Sequence, residues 1–339
     1  MRIHTALFGP QQAAERARAL RDVGIDGIFT FDGPHDVFSP LFGAAGVDDV
    51  ALMTNVAIAF PRNPITVAHQ ANDLQLLSDG RFTLGLGTQI RPQIEKRFGG
   101  VPFERPVDRM VEFVSALRAI FDCWQNGTRL DFDGEFYRHR LMTPMFNPGP
   151  NPHGMPPIYV GAWDPRLTRA VAEHADGLLV MPFTTDRFVR ESILPRVDAG
   201  LDASGRTRAD FAVVPEIIVA TGRTEEEFDT SVDAARRLLS FYGSTPAYRP
   251  VLEMHGYGGP PDRAEPAVEA GRWAEMAGLV DDELLELIAA HGSPRDVPRR
   301  SAHGRTTSPR MSRSTNRSRS PTRRSRRSST ASDHLLPER

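Results

Sequence analysis

Residues 51–99 read ALMTNVAIAFPRNPITVAHQANDLQLLSDGRFTLGLGTQIRPQIEKRFG. The apolar run Val50 to Phe60 stops at Pro61-Arg62-Asn63-Pro64, where two prolines cannot donate to a sheet ladder. A helix-period stretch follows, with Ile65, Ala68, Ala71, Leu74 and Leu77 recurring three apart. Ser78-Asp79-Gly80 ends it, since glycine takes the left-handed cap without a steric penalty. A short strand then starts at Phe82 and opens at Gly85-Leu86-Gly87-Thr88 into a polar loop. The stretch therefore predicts one βαβ unit.

The same pattern returns elsewhere. Ala13 to Val23 is helix-like and turns through Gly24-Ile25-Asp26-Gly27 into Ile28-Phe29-Thr30-Phe31. Leu167 to His174 is helix-like and turns through Asp176-Gly177 into Leu178-Leu179-Val180-Met181. Short apolar strands alternating with helices imply a parallel sheet covered by helices. Eight such units close into a barrel whose chemistry sits at the carboxyl ends of its strands. An open doubly wound sheet is the alternative. The first strand, however, ends Leu7-Phe8-Gly9-Pro10, with no Gly-x-Gly-x-x-Gly after it.

A chain of 339 residues with 40% hydrophobic composition suits one barrel-sized domain plus a tail. Cys123 is the only cysteine, so an intramolecular disulfide and a cysteine metal cluster are excluded. His4, His69, His139, His153 and His174 show no metal-ligand spacing, and no metal is expected. The amino terminus MRIHTALFGP has no apolar signal core, and no run reaches membrane-spanning length. A cytoplasmic protein that does not enter membranes is expected. Lys96 is the only lysine, which argues against a Schiff-base aldolase barrel.

The net charge of −2 conceals two unlike parts: 294–339 carries +10 and the remainder −12. Pro298 to Asp333 holds no Val, Ile, Leu, Phe, Tyr or Trp and cannot bury enough apolar surface to order itself. Three readings of this tail stand: an out-of-frame segment, a solvated disordered extension, or an arm that binds polyanions non-specifically. No specific nucleic-acid partner is expected. After Gly292-Ser293-Pro294 a last helix and strand would complete the barrel, and the sequence supplies neither.

At this point the residues resemble a known family, the bacterial luciferase-like monooxygenases, and within it the F420-dependent oxidoreductase branch. The pieces that carry the resemblance are Ala59-Phe60-Pro61-Arg62-Asn63-Pro64, Leu77-Ser78-Asp79-Gly80-Arg81-Phe82 and Leu84-Gly85-Leu86-Gly87-Thr88-Gln89. Asp133-Gly134-Glu135-Phe136-Tyr137, Pro156-Pro157-Ile158-Tyr159-Val160-Gly161 and Ala290-His291-Gly292-Ser293-Pro294 add to it. The resemblance implies an α/β fold, a (β/α)8 TIM barrel of the luciferase-like type, here without its last native helix and strand. The expected organisation is a barrel over 1–293, with a hairpin insertion near 128–142 and a mouth insertion near 241–280, then the tail 294–339. It also implies coenzyme F420, or alternatively FMN with monooxygenase chemistry, a small-molecule substrate and a homodimer.

Candidate site residues follow from strand-end position and from the resemblance. His35, just past the second strand, is the expected acid or base. Asp32 and Asp36 either orient it, bind the cofactor or cap a turn. The resemblance places a non-prolyl cis peptide and a bulge behind the cofactor ring near Asn55-Val56. Gly87 admits a ligand close to the backbone, and Thr88 and Gln89 offer polar groups to the cofactor. Some F420 dehydrogenases carry a glutamate two residues past this threonine; Ile90 stands here, so sugar-phosphate chemistry is not implied. Gly161-Ala162-Trp163-Asp164-Pro165-Arg166 opens a helix, whose free amides suit the cofactor's phosphate, with Arg166 adding charge. Arg62, Arg91 and Arg97 are candidates for its acidic tail. Tyr242 and Tyr248 are candidates for a substrate wall.

Overall fold

A computed structural model describes residues 2–99, 102–257, 280–295 and 297. Seven parallel strands form one curled sheet in the order β1 (His4–Ala6), β2 (Gly27–Thr30), β3 (Ala51–Thr54), β5 (Phe82–Gly87), β8 (Ile158–Gly161), β9 (Gly177–Val180) and β10 (Ala212–Pro215). The short β4 (Ala57–Ile58) joins it by pairing with β5. Strand order follows chain order in one direction throughout. A doubly wound sheet would reverse direction at a switch point, so the barrel-type winding is the one found. Among the described residues no strand joins β10 back to β1.

The apolar run read as one strand is two, β3 and β4, separated by Asn55 and Val56, and the Asn55–Val56 peptide is cis. The ladder to β5 breaks there, and Thr54 bridges the gap. Its hydroxyl donates to the Gly85 carbonyl (2.7 Å) and accepts from the Gly85 amide (2.8 Å).

The recurring Asp-Gly turns have a common physical purpose at the amino end of the sheet. The Asp26 carboxylate accepts from Ile3 N–H (2.7 Å), and the Asp176 carboxylate accepts from Ile158 N–H (2.8 Å). Each aspartate satisfies the amide that enters the preceding neighbour strand. Arg81, after Asp79-Gly80, donates to the carbonyls of Ala45, Val47 and Val50.

Helices α1 (Ala13–Asp22), α2 (Ser39–Ala44), α3 (Pro64–Leu77), α4 (Pro106–Asn126) and α5 (Pro165–His174) follow β1, β2, β4, β5 and β8 respectively. Asn63 caps α3 by accepting from Ile65 N–H (3.1 Å), with Pro64 in the first turn. Helix α4 buries Met110, Phe113, Val114, Leu117, Ile120, Phe121 and Trp124, a stripe at three-four spacing. Each such side chain contributes roughly 1.5–3 kcal/mol when fully buried. Gly127, at φ 71°, ends that helix.

Two strands outside the sheet, β6 (Phe132–Asp133) and β7 (Arg138–His139), pair antiparallel within the 128–142 segment. Glu112 of α4 clamps their turn by accepting from the amides of Glu135, Phe136 and Tyr137. After β9 the chain forms α6 (Asp186–Phe188) and α7 (Leu194–Ala203). Beyond β10, β11 (Val219–Ala220) leads into α8 (Glu225–Gly243) and α9 (Arg249–Met254). Helix α10 (Asp282–Ile288) then ends at β12 (Ala290–His291), which pairs parallel with β11. Part of the expected mouth insertion, 258–279, lies outside the described residues. So does the tail, apart from residues 294, 295 and 297.

Candidate active site

The carboxyl ends of the strands meet around the Asn55–Val56 bulge. Three glycines of β5 and β8 lie against it or against Thr54 before it, where a side chain would crowd or collide. A Cβ on Gly85 would lie 1.9 Å from the Thr54 carbonyl oxygen, and one on Gly87 would lie 2.4 Å from Val56 Cγ2. A Cβ on Gly161 would sit 3.3 Å from Val56 Cγ1. Two strands, β5 and β8, thus present backbone to the bulge. The Val56 side chain occupies the space that Gly87 and Gly161 leave, so these glycines let the bulge pack closely on β5 and β8.

Asp32 holds the outer side of the bulge. Its carboxylate accepts from Ile58 N–H (2.6 Å) and from Arg62 Nη1 and Nη2 (2.6 and 2.8 Å). Both oxygens are committed to internal partners, which makes Asp32 a structural anchor rather than a group reaching for a ligand. Arg62 is committed with it and also donates to the Ile58 carbonyl (2.7 Å). Arg91 pairs with Glu95 (2.8 Å), and Arg97 donates to the Gly33 carbonyl (2.8 Å). Of these three arginines, none has a guanidinium without an internal partner.

Asp36 holds the turn that leads into α2, accepting from Phe38 N–H (3.0 Å) and Ser39 N–H (2.9 Å). His35 is therefore released from the capping duty a loop histidine often has. It makes no hydrogen bond with a described residue, and it lines a cavity of about 180 Å³ with Phe8, Gln11, Thr30, Phe31 and Pro34. Thr88 is half-buried, and its hydroxyl donates to the Gln89 carbonyl (3.1 Å). Gln89 adopts φ 60°, which turns the chain sharply out of β5.

The start of α5 departs from the expected free anion site. Asp164 accepts from Arg166 N–H (2.9 Å) and Leu167 N–H (3.0 Å), so the helix end already holds a carboxylate. Arg166 itself is exposed and makes no ion pair among the described residues. Ala162 is buried. Trp163 stacks on Phe188 (4.8 Å between ring centres, 9° between planes) and donates from Nε1 to the Ala247 carbonyl (2.6 Å). Its role in this structure is to tie the 241–257 segment to the barrel.

That segment brings Tyr242 and Tyr248 beside Phe183, with ring centres 6.3 and 6.0 Å away. Thr185 and His255 share a hydrogen bond (2.8 Å) nearby. The hydroxyl of Thr184 is buried without a partner among the described residues, a donor left over after the fold is satisfied.

Glu216 is the residue that sequence reasoning missed. It directly follows β10, and its amide donates to the Val180 carbonyl (3.0 Å), extending the ladder to the sheet's carboxyl end. Asn55 Nδ2 donates to its Oε2 at 3.4 Å, linking it to the bulge. Burial pushes this carboxyl up to about 7, against the small opposing effect of the Asn55 bond. Burial also raises Tyr242, and the Glu216 charge adds to that rise. The available signal was one acid inside the apolar run Ala212-Val213-Val214-Pro215-Glu216-Ile217-Ile218-Val219-Ala220. Among the described residues no cluster of His, Cys, Asp or Glu could hold a metal ion, and no helix is long and apolar enough to cross a membrane.

With this geometry in view, known proteins can be compared. The sequence profile of the luciferase-like monooxygenases matches residues 1–308. An uncharacterised protein of Mycobacterium tuberculosis is 47% identical over 282 residues, 83% of each chain. The 5,10-methylenetetrahydromethanopterin reductase of Archaeoglobus fulgidus is 29% identical over 248 residues, 69% of this chain and 67% of its own. Among solved structures, the coenzyme F420 dependent tetrahydromethanopterin reductase from Methanopyrus kandleri matches with a TM-score of 0.74 at 20% identity, over 89% of each chain.

Proposed function

This chain belongs to the luciferase-like monooxygenase family, and from that premise we propose that it is an F420-dependent oxidoreductase acting on a small organic substrate. The observation that carries the reading is the cis Asn55–Val56 bulge at the carboxyl ends of the strands, with the Val56 side chain packed on Gly87 and Gly161. The Archaeoglobus relative, a tetrahydromethanopterin reductase by name, supports the deazaflavin over FMN, because the Methanopyrus enzyme of like name is described as F420 dependent.

The residues present fit such a cofactor. Asn55, Val56 and Gly87 would back its ring, and Thr88 and Gln89 would offer polar groups at the strand end. Of Gly161, Ala162, Trp163 and Arg166 at the start of α5, the exposed Arg166 would meet its anionic end, since Asp164 already holds the helix amides. When bound, the deazaflavin supplies a two-electron hydride donor or acceptor. The protein's own contribution is to hold the ring against the bulge, shield it from water and manage protons. His35, which lines its cavity and has no hydrogen-bond partner among the described residues, is placed to pass a proton between solvent and the site.

The test is a titration of the purified protein with F420 and, separately, FMN, followed by ligand fluorescence. Micromolar or tighter F420 binding is expected. Binding of FMN alone would move the reading to an FMN-dependent monooxygenase.

A further inference from the structure

Resting on the deazaflavin reading, we infer that Glu216 is the group that exchanges a proton with the substrate as hydride moves. The placement comes first. The β9–β10 ladder carries Glu216 to the carboxyl end of the sheet, where barrel enzymes keep their chemistry. The Asn55 contact sets its carboxyl at the bulge, which is where the ring is expected to lie.

The surroundings support the same role. The groups that face it include Asn55 from the bulge and Tyr242 from α8, and Tyr242 in turn contacts Tyr248. Other carboxylates close to the site are spent elsewhere: Asp32 on Arg62, Asp36 on α2 and Asp164 on α5. A carboxyl at about 7 is populated in both forms near neutrality, the condition under which a general acid is also an effective base. His35 stands on the exposed loop after β2. Glu216 is half-buried and tied to the bulge through Asn55.

The substrate class that matches a half-buried acid able to give up its proton near neutrality is a carbonyl compound, with the alcohol as the reverse substrate. As the carbonyl carbon accepts hydride from the reduced deazaflavin, its π electrons move to oxygen. The Glu216 O–H bond breaks and its proton passes to that oxygen. One C–H and one O–H bond result, and water returns a proton to the carboxylate. Oxidation of the alcohol runs the same steps backwards.

The experiment compares the full-length wild type with Glu216→Gln and Glu216→Asp. Each is titrated with F420 by fluorescence and followed by infrared spectroscopy between about pH 5 and about pH 9. The amide of Glu216→Gln still accepts from Asn55, so F420 should bind within roughly twofold of wild type. The same variant should lose a carboxylic-acid band that titrates near neutrality in wild type and shifts when F420 is loaded. With reduced F420 and a panel of small ketones as probes, the fastest should react about 100-fold more slowly with Glu216→Gln. Glu216→Asp should restore part of that rate. A carboxyl that titrates in the ordinary range, or a band blind to F420, overturns the assignment and leaves the cofactor reading intact. Failure of the wild type to bind F420 overturns the cofactor reading itself.

Discussion

Asp32 and Arg62 form a two-pronged ion pair, with Nη1–Oδ2 at 2.6 Å and Nη2–Oδ1 at 2.8 Å, on the outer side of the bulge. The Asp32 side chain is 7% exposed and that of Arg62 18%, so neither charge is well solvated without the other. Residues 30 positions apart, after β2 and after β4, are thereby locked together.

Removing one partner strands a buried charge. Arg62→Met should cost roughly 3–5 kcal/mol in urea unfolding. The double variant Asp32→Asn, Arg62→Met should recover part of that loss. Additive losses in the double variant would show that the pair is not coupled.

The raised Glu216 carboxyl makes stability depend on pH. Folding favours its protonated form, so this contribution is complete below the ordinary carboxylate range and is lost as pH rises through about 7. Glu216→Gln has no such loss. It should therefore be more stable than wild type at pH 8, by roughly 1–3 kcal/mol, with the gap closing in mild acid. Parallel unfolding midpoints across this range would contradict the buried acid.

Gly87→Ala places a methyl group 2.4 Å from Val56 Cγ2, and β5 and the bulge cannot both keep their positions. F420 affinity should fall at least about tenfold while the folded signal by circular dichroism persists. Unchanged affinity would mean that the ring does not use this wall.

The architecture was legible because it rests on local grammar. Proline stops, Asp-Gly turns and helical periodicity place β2, β3, β5 and β9 and helices α1, α3 and α5. The structure adds the reason for the Asp-Gly pairs, since Asp26 and Asp176 satisfy strand amides at the sheet's amino end. The site was less legible, because sequence gives residue type and position but not partners. Asp32 looked available and is consumed by Arg62. Asp164 marked a helix start, yet the same carboxylate that caps the helix fills the anion site it advertises. Glu216 lies 161 residues from Asn55, so no local pattern could pair them.

Asp164→Asn keeps the cap and removes the competing charge at α5. If the anionic end of the cofactor docks there, binding should tighten about two- to fivefold at low salt, the size expected for one charge at a helix start. Weaker or equal binding in a fluorescence titration would move the phosphate site away from this helix.

The Thr54 hydroxyl, held by both the amide and the carbonyl of Gly85, stands in for the backbone pairing that the bulge gives up. The cradle is thus assembled by the chain itself before any ligand arrives. A ligand that enters it has little to organise, so arrival can be fast and its cost in ordering small.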